Sequence, residues 1–133
     1  RRSANADQRK PFGELFFDGA WGKPLADKKA GRFSQVLEMV RIGPSASNKQ
    51  PWRVIYQPGR FHVFLERTSG YPPPLFNSLL RLADMQSVDM GIALCHFEFS
   101  AIESGLKGSW NHTPTDLDIP EEGVEYILSW VID

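Results

Sequence analysis

The residues best suited to chemistry lie in one run, Pro44-Ser45-Ala46-Ser47-Asn48-Lys49-Gln50-Pro51-Trp52. Two hydroxyls and two carboxamides fall within six residues, with a proline on either side and a tryptophan at the end. Each of these groups can donate and accept hydrogen bonds. That suits recognition of a polar ligand, and it is more than a plain connector needs. Read only as a helix-to-strand connection, the run would use Ser45, Ser47 and Asn48 for local turn bonds and bury Trp52 in the core.

Other reactive constellations are missing from the sequence. His62, His96 and His112 are scattered, with no partner at metal-ligand spacing. Cys95 and His96 are adjacent in a helical pattern and point apart, so they make no nucleophilic pair. His96 shares a polar strip with Asp89 and reads as a hydrogen-bonded histidine. There is no phosphate loop, no dinucleotide glycine fingerprint and no G-x-S-x-G elbow. No catalytic side chain and no metal ligand is expected.

Composition sets the broad class. The 133 residues fit one domain, 1–133, and 41% hydrophobic with 23% charged residues is the balance of a globular protein. The formal net charge of −1 gives no ground for a nucleic-acid partner. Charge is uneven: residues 1–32 carry eight Lys/Arg against four Asp/Glu, and the remainder seven against twelve. Cys95 alone excludes an internal disulfide; it reads as a small buried hydrophobe in a reducing, cytoplasmic setting. No apolar run is long enough for a bilayer, and no signal peptide is visible. Asn111-His112-Thr113 matches a glycosylation acceptor but lacks that secretory context. The opening Arg1-Arg2-Ser3, without Met, suggests a fragment or a processed product.

The elements that would position the run follow from periodicity. Residues 1–31 are punctuated by glycine and proline, with Leu15-Phe16-Phe17 as a short strand or helical turn. Phe33, Val36, Leu37 and Val40 form one helical face over 32–42, stopped by Gly43-Pro44. Residues 52–57 and 61–66 alternate on either side of Gln57-Pro58-Gly59-Arg60 and form a hairpin. Tyr71-Pro72-Pro73-Pro74 reads as a stiff extended segment. Residues 85–106 form the strongest helix, with one stripe of Met90, Ala93, Leu94, Phe97 and Ala101 and another of Val88, Ile92, Cys95, Phe99, Ile102 and Leu106. Such a helix is expected to be central and buried. Gly91 within it costs about 1 kcal/mol relative to Ala, a cost that a close backbone approach by another helix or by a flat ligand would justify. Residues 107–122 read as loop. Residues 124–132 read as a final strand with Val124, Tyr126, Leu128, Trp130 and Ile132 on one face, covered on both sides. The fold class is α+β: a central buried helix on a small, mainly antiparallel sheet.

Three segments resemble the nitroreductase family. Pro44 to Trp52, in the stretch Val40–Arg53, is similar to that family's P-S-x-x-N-x-Q-P-W loop. Asp89-Met90-Gly91-Ile92-Ala93-Leu94-Cys95-His96-Phe97 resembles its long central helix. Arg9-Lys10-Pro11-Phe12-Gly13-Glu14-Leu15 resembles its basic R-K-P-x-x-E run. Their order is similar to a smaller branch in which one chain carries two related halves that imitate the usual dimer. The chain resembles the second, C-terminal half over nearly its full length. The R-x-x-R segment with which family members contact the flavin phosphate has no counterpart in Arg1-Arg2-Ser3-Ala4, which implies an absent first half. The resemblance implies FMN held at a seam between halves, with Pro44, Ser45, Ser47, Asn48 and Gln50 near the isoalloxazine ring and Arg9 and Lys10 near the phosphate. NAD(P)H would be the electron donor, and a nitroaromatic, quinone or similar small molecule the acceptor. The partner would be the missing N-terminal half or a second copy. The alternative is a non-catalytic binding or structural domain of the same fold without a competent flavin site; more remote is an interaction domain that uses its proline run.

Overall fold

The structure, a computed structural model, describes residues 6–70 and 84–133; the expected proline segment Tyr71–Pro74 lies outside them. A 3-10 turn at Ala6–Gln8 leads into helix α1 (Phe12–Leu15), which passes directly into strand β1 (Phe16–Asp18). Both alternatives for Leu15-Phe16-Phe17 are therefore realised in succession. Helices α2 (Asp27–Ala30) and α3 (Phe33–Arg41) follow. Next come a second 3-10 turn (Ala46–Asn48), the hairpin β2 (Trp52–Gln57) and β3 (Arg60–Glu66), helix α4 (Met85–Glu103), β4 (Gly108–Asn111) and β5 (Val124–Ile132).

Among the described residues the strands form one sheet in the order β1-β2-β3-β5-β4. Only β1 and β2 run parallel. The expected hairpin forms, with Trp52 opposite Leu65 and Gln57 opposite Arg60. β5 lies inside the sheet, between β3 and β4.

One face of the sheet carries α3 and α4. Trp52, Val54, Phe61, Val63 and Leu65 meet Phe33, Val36, Leu37, Val40, Met90, Ala93, Phe97 and Ala101 there. Phe97 lies at the centre, its ring 5.5 Å from Phe61, 5.3 Å from Trp110 and 5.4 Å from Trp130. Burial of such side chains contributes roughly 1.5–3 kcal/mol each. The opposite face holds a smaller cluster, Phe17, Ile55 and Phe64, covered by Trp21, Leu117 and Ile119.

α4 is well terminated. Asp84 caps it by accepting the Ser87 N–H. At the far end Gly105 (φ 71°) turns the chain, with Leu106 N–H donating to Ala101 O at 2.9 Å and Gly105 N–H to Ile102 O at 3.0 Å. This is the paired C-terminal bonding that a left-handed glycine permits. The helix stops at Glu103, before the expected 106. It is not long and apolar enough to cross a membrane, nor is any other described helix.

Several expectations are corrected. The α4 stripe of Met90, Ala93, Phe97 and Ala101 is buried, but Val88, Phe99 and Ile102 are 50%, 67% and 60% exposed. Cys95 is exposed as well, not a buried hydrophobe. An apolar pattern records what a face is built for, while the sheet and α3 cover only one side. A Cβ on Gly91 would meet nothing within 4 Å, so no backbone approach among the described residues accounts for it. Asp89, placed on a polar strip, is buried. The segment read as loop contains β4, whose Gly108 lies so close under the Trp130 indole that a Cβ would collide with it. In β5, Val63 pairs with Leu128 but Phe64 with Tyr126, which leaves Ile127 as a bulge. The bulge reverses the alternation. Trp130 and Ile132 face the helices with Ile127, whereas Val124 and Tyr126 turn to the far face.

Candidate functional site

The run between α3 and β2 begins where Gly43 ends the helix. Gly43 N–H donates to Val40 O at 3.0 Å, and a Cβ there would press on that carbonyl and on the His96 ring. Ser45 is extended, and the chain then turns tightly, with Asn48 N–H to Ser45 O at 3.0 Å and Lys49 N–H to Ala46 O at 3.2 Å. Ser47, Asn48 and Gln50 have φ of 51°, 53° and 50°. Left-handed backbone is tolerable for Asn but costs about 1–3 kcal/mol at a site that stores strain.

Such strain persists only where the surroundings over-determine it. Here four groups do so. Ser45 Oγ accepts the Gln50 N–H at 2.9 Å. Arg53 Nη1 donates to Gln50 O at 2.7 Å. Both Asp89 carboxylate oxygens receive the Ala46 N–H at 3.1 Å. Arg9 Nη1 donates to Asn48 Oδ1 at 2.6 Å.

The basic run near the start of the described chain is laid against this loop. Lys10 N–H donates to Gln50 Oε1 at 2.7 Å, and Asn48 Nδ2 donates to Gln8 O at 3.2 Å. Gln50 Nε2 donates to Asn48 O at 3.0 Å and to Gln8 O at 3.4 Å. Arg41 Nη1 reaches Lys10 O at 3.3 Å while its guanidinium pairs with Glu38. Two segments some forty residues apart in sequence thus form one locus.

Each candidate residue has a definite place there. Pro44 is exposed, and Ser45 is half-buried with its hydroxyl used by the loop. Ser47 is exposed, and its hydroxyl makes no hydrogen bond among the described residues. The Asn48 amide holds Arg9 and Gln8. Gln50 is 2% exposed, and both its amide atoms bond within the chain. Arg9 and Lys10 are half-buried at the rim.

Beside the loop lies a cleft of about 680 Å³ lined by Lys10, Ser47, Asn48, Lys49 and Gln50, and also by Arg53, Glu66, Arg67, Thr68 and Ser69. Its volume falls in the range of small-molecule sites. Four cationic side chains line it against one carboxylate. Arg53 pairs with Glu66 at 2.7 Å; burial lowers its pKa and Glu66 opposes that shift. Arg67 pairs with Asp84 at 2.6 Å and Glu125 at 3.3 Å. Those bonds hold the Arg67 guanidinium above its ordinary range, and the Asp84 carboxyl is held well below its own by Arg67 and Ser87. Lys10 and Lys49, with Arg53 and Arg67, outnumber the single Glu66 carboxylate on the lining and give the cleft a positive bias suited to an anionic group.

Arg53 and Asp89 hold the loop, yet neither stood out in sequence as a site residue. For Arg53 the signal was a charged residue in an alternating strand directly after the run. For Asp89 it was a carboxylate one turn into a helix that is apolar over most of its circumference.

The family model described as "Putative TM nitroreductase" matches residues 23–101, more than half of the chain, including α3, the strained loop, the hairpin and most of α4. No curated protein sequence matches the chain. Among solved structures, the crystal structure of a "putative nitroreductase" from Thermotoga maritima is similar in fold, with a TM-score of 0.58 and 19% identity. The match covers 94% of this chain and 42% of that one, so the chain spans less than half that protein's length.

Proposed function

Because the chain belongs to this nitroreductase family, whose members are of oxidoreductase kind, we propose that it contributes one half of an FMN site in an NAD(P)H-dependent oxidoreductase. The observation that carries this reading is the loop itself. Three non-glycine residues in left-handed backbone, clamped from four directions, border a cleft with a positive bias. Strain held in place by so many bonds is a mark of a positioned functional segment.

The donor set fits a flavin nucleotide. The exposed Ser47 hydroxyl and the rim of the Asn48 amide suit the alternating donors and acceptors of the isoalloxazine edge. Lys10 and Arg9 supply cations for the phosphate, with Lys49 as an additional charge at the cleft. Gln50 takes a different part from the others: buried and fully bonded, it ties the backbone of residues 8–10 to the loop. When bound, the flavin would supply the redox chemistry between NAD(P)H and a nitroaromatic, quinone or similar acceptor. The chain's own residues bind it, orient it and set the charge around it. No side-chain nucleophile or general base is required.

The second half of the site would come from a partner of the same fold, supplied either as an N-terminal half of a longer chain or as a second copy. The outer stripe of α4, with Val88, Cys95, Phe99 and Ile102 exposed and Ile92 half-buried, is the surface this reading gives to that partner. Light scattering tests it: self-association with weak hydrophobic-dye binding supports the pairing, and a clean monomer that binds no dye contradicts it.

A non-catalytic relative is the second reading, and one observation favours it. The amides of Asn48 and Gln50 are already consumed inside the chain. FMN titration separates the two readings. Saturable binding weakened by Asn48→Ala supports the flavin site; its absence even with the partner half restored favours the non-catalytic domain.

A further inference from the structure

We propose that Asp89 is a positioning residue for the 44–50 loop, its ionised carboxylate gripping the Ala46 N–H so that the strained turn is held ready for ligand. The inference rests on reading that loop as the flavin-contacting segment.

Ala46 opens the 3-10 turn that contains Ser47 and Asn48, and the N–H at such a start has no partner within the turn. Asp89 supplies the partner from α4, with both oxygens at 3.1 Å. The contact bridges two elements 43 residues apart in sequence, and it falls immediately before the first left-handed residue.

A buried carboxylate is a costly way to accept one hydrogen bond. Asp89 is 2% exposed, and an asparagine oxygen could occupy the same place uncharged. What the carboxylate adds is charge assistance, which makes the bond roughly twice as strong as a neutral one. A strained loop has use for that strength; a plain helix-to-loop contact has none. The charged groups nearby on packed elements are engaged elsewhere. Glu38 and Arg41 on α3 pair with each other, as do Arg53 and Glu66 on the hairpin. Lys49, on the loop, lines the cleft, and His96 on α4 donates to Met39 O at 3.1 Å. Burial raises the Asp89 pKa above 3.8 and the Ala46 N–H opposes the rise; no charged side chain is among the causes.

Stability and loop grip then respond to pH in opposite senses. A carboxyl whose folded pKa is raised costs stability when ionised, and that cost is relieved as pH falls through the folded pKa. The grip on Ala46 is strongest when Asp89 is ionised and weakens over the same range. Asp89→Asn should therefore leave the neutral-pH melting temperature unchanged or raise it, while loosening the loop. A merely structural contact would lose both together.

Two readouts test this on the wild-type chain and Asp89→Asn. The first is NMR and needs no flavin. The Ala46 amide resonance should titrate in wild type with a midpoint above the ordinary carboxyl value and not titrate in Asp89→Asn. Exchange protection of the Ala46–Gln50 amides at neutral pH should fall roughly tenfold in the variant. The second is FMN titration. The dissociation constant at neutral pH should rise roughly tenfold in Asp89→Asn. Wild-type affinity should fall towards the variant's level on acidification, while the variant stays flat. An Ala46 amide insensitive to pH and to the substitution overturns the proposal, as does a variant that melts lower with its loop protection intact. If wild type binds no FMN at any pH, even with its partner half present, the flavin reading of the loop fails; the NMR readout still decides whether Asp89 holds it.

Discussion

Replacing Ser47 by glycine should stabilise the fold and weaken ligand binding. Ser47 sits at φ 51° with an exposed side chain. A left-handed non-glycine residue costs roughly 1–2 kcal/mol, and glycine removes that cost. Glycine also gives the unfolded chain more freedom, which returns about 0.5–1 kcal/mol. The net expectation is a gain of about 0.5–1 kcal/mol. Unfolding entropy of about 2.1 cal/mol/K per residue over 133 residues is about 0.28 kcal/mol/K, so the melting temperature should rise by about 2–4 °C. If the Ser47 hydroxyl bonds the flavin edge, its loss should raise the FMN dissociation constant about three- to tenfold, the worth of one neutral hydrogen bond. Calorimetry and flavin fluorescence on the same preparation read both changes. A variant that melts lower than wild type and binds FMN equally well would refute the reasoning, because Ser47 would then serve the fold and not the ligand.

Gln50→Leu should cost about 1–3 kcal/mol, because the Lys10 N–H and the Asn48 carbonyl lose a buried partner; urea denaturation measures it, and faster proteolysis around residues 8–10 should accompany it. His62 is buried with Nδ1 2.6 Å from Ser129 Oγ and Nε2 2.8 Å from Gln57 Oε1, and burial together with Arg60 lowers its pKa below 6.5. The folded state then binds the proton less readily than the unfolded chain, so this part of the stability is present above pH 6.5 and is lost as pH falls towards the folded pKa. Urea midpoints across that interval should drop in wild type and stay flatter in His62→Gln. Phe99→Ser should leave the unfolding free energy within about 0.5 kcal/mol, since the side chain is 67% exposed. It should also shift the chain towards monomer in light scattering.

Much of the fold could be read from the chain because alternation and turn chemistry agree. Pro58-Gly59 and the flanking apolar residues placed the hairpin, and β2 and β5 begin and end where their alternation does. Where one residue breaks the period, the reading failed. The bulge at Ile127 inverts half of β5, and periodicity contains no sign of it. β4 was missed because Gly108-Ser109-Trp110-Asn111 offers a single large apolar residue; its place depends on the distant Trp130. On α4 the pattern identified two apolar stripes without saying what covers each. The site was legible as a set of residue types. Its geometry was not: left-handed φ at Ser47 and Gln50 runs against their local preference and is held by side-chain bonds from Ser45 and Arg53 nearby in the chain and from the distant Asp89.

FMN titration of the purified chain, with Asn48→Ala beside it, tests the central claim most directly. Flavin fluorescence should be followed over chain concentrations that span self-association, so that a half site and a paired site are both sampled. Saturable binding is expected, weakened roughly tenfold in Asn48→Ala, which removes the 2.6 Å bond to Arg9 and the bond to Gln8 O. Absence of saturable binding across that whole range and with an N-terminal half restored, or equal binding by wild type and variant, would contradict a flavin site built on this loop.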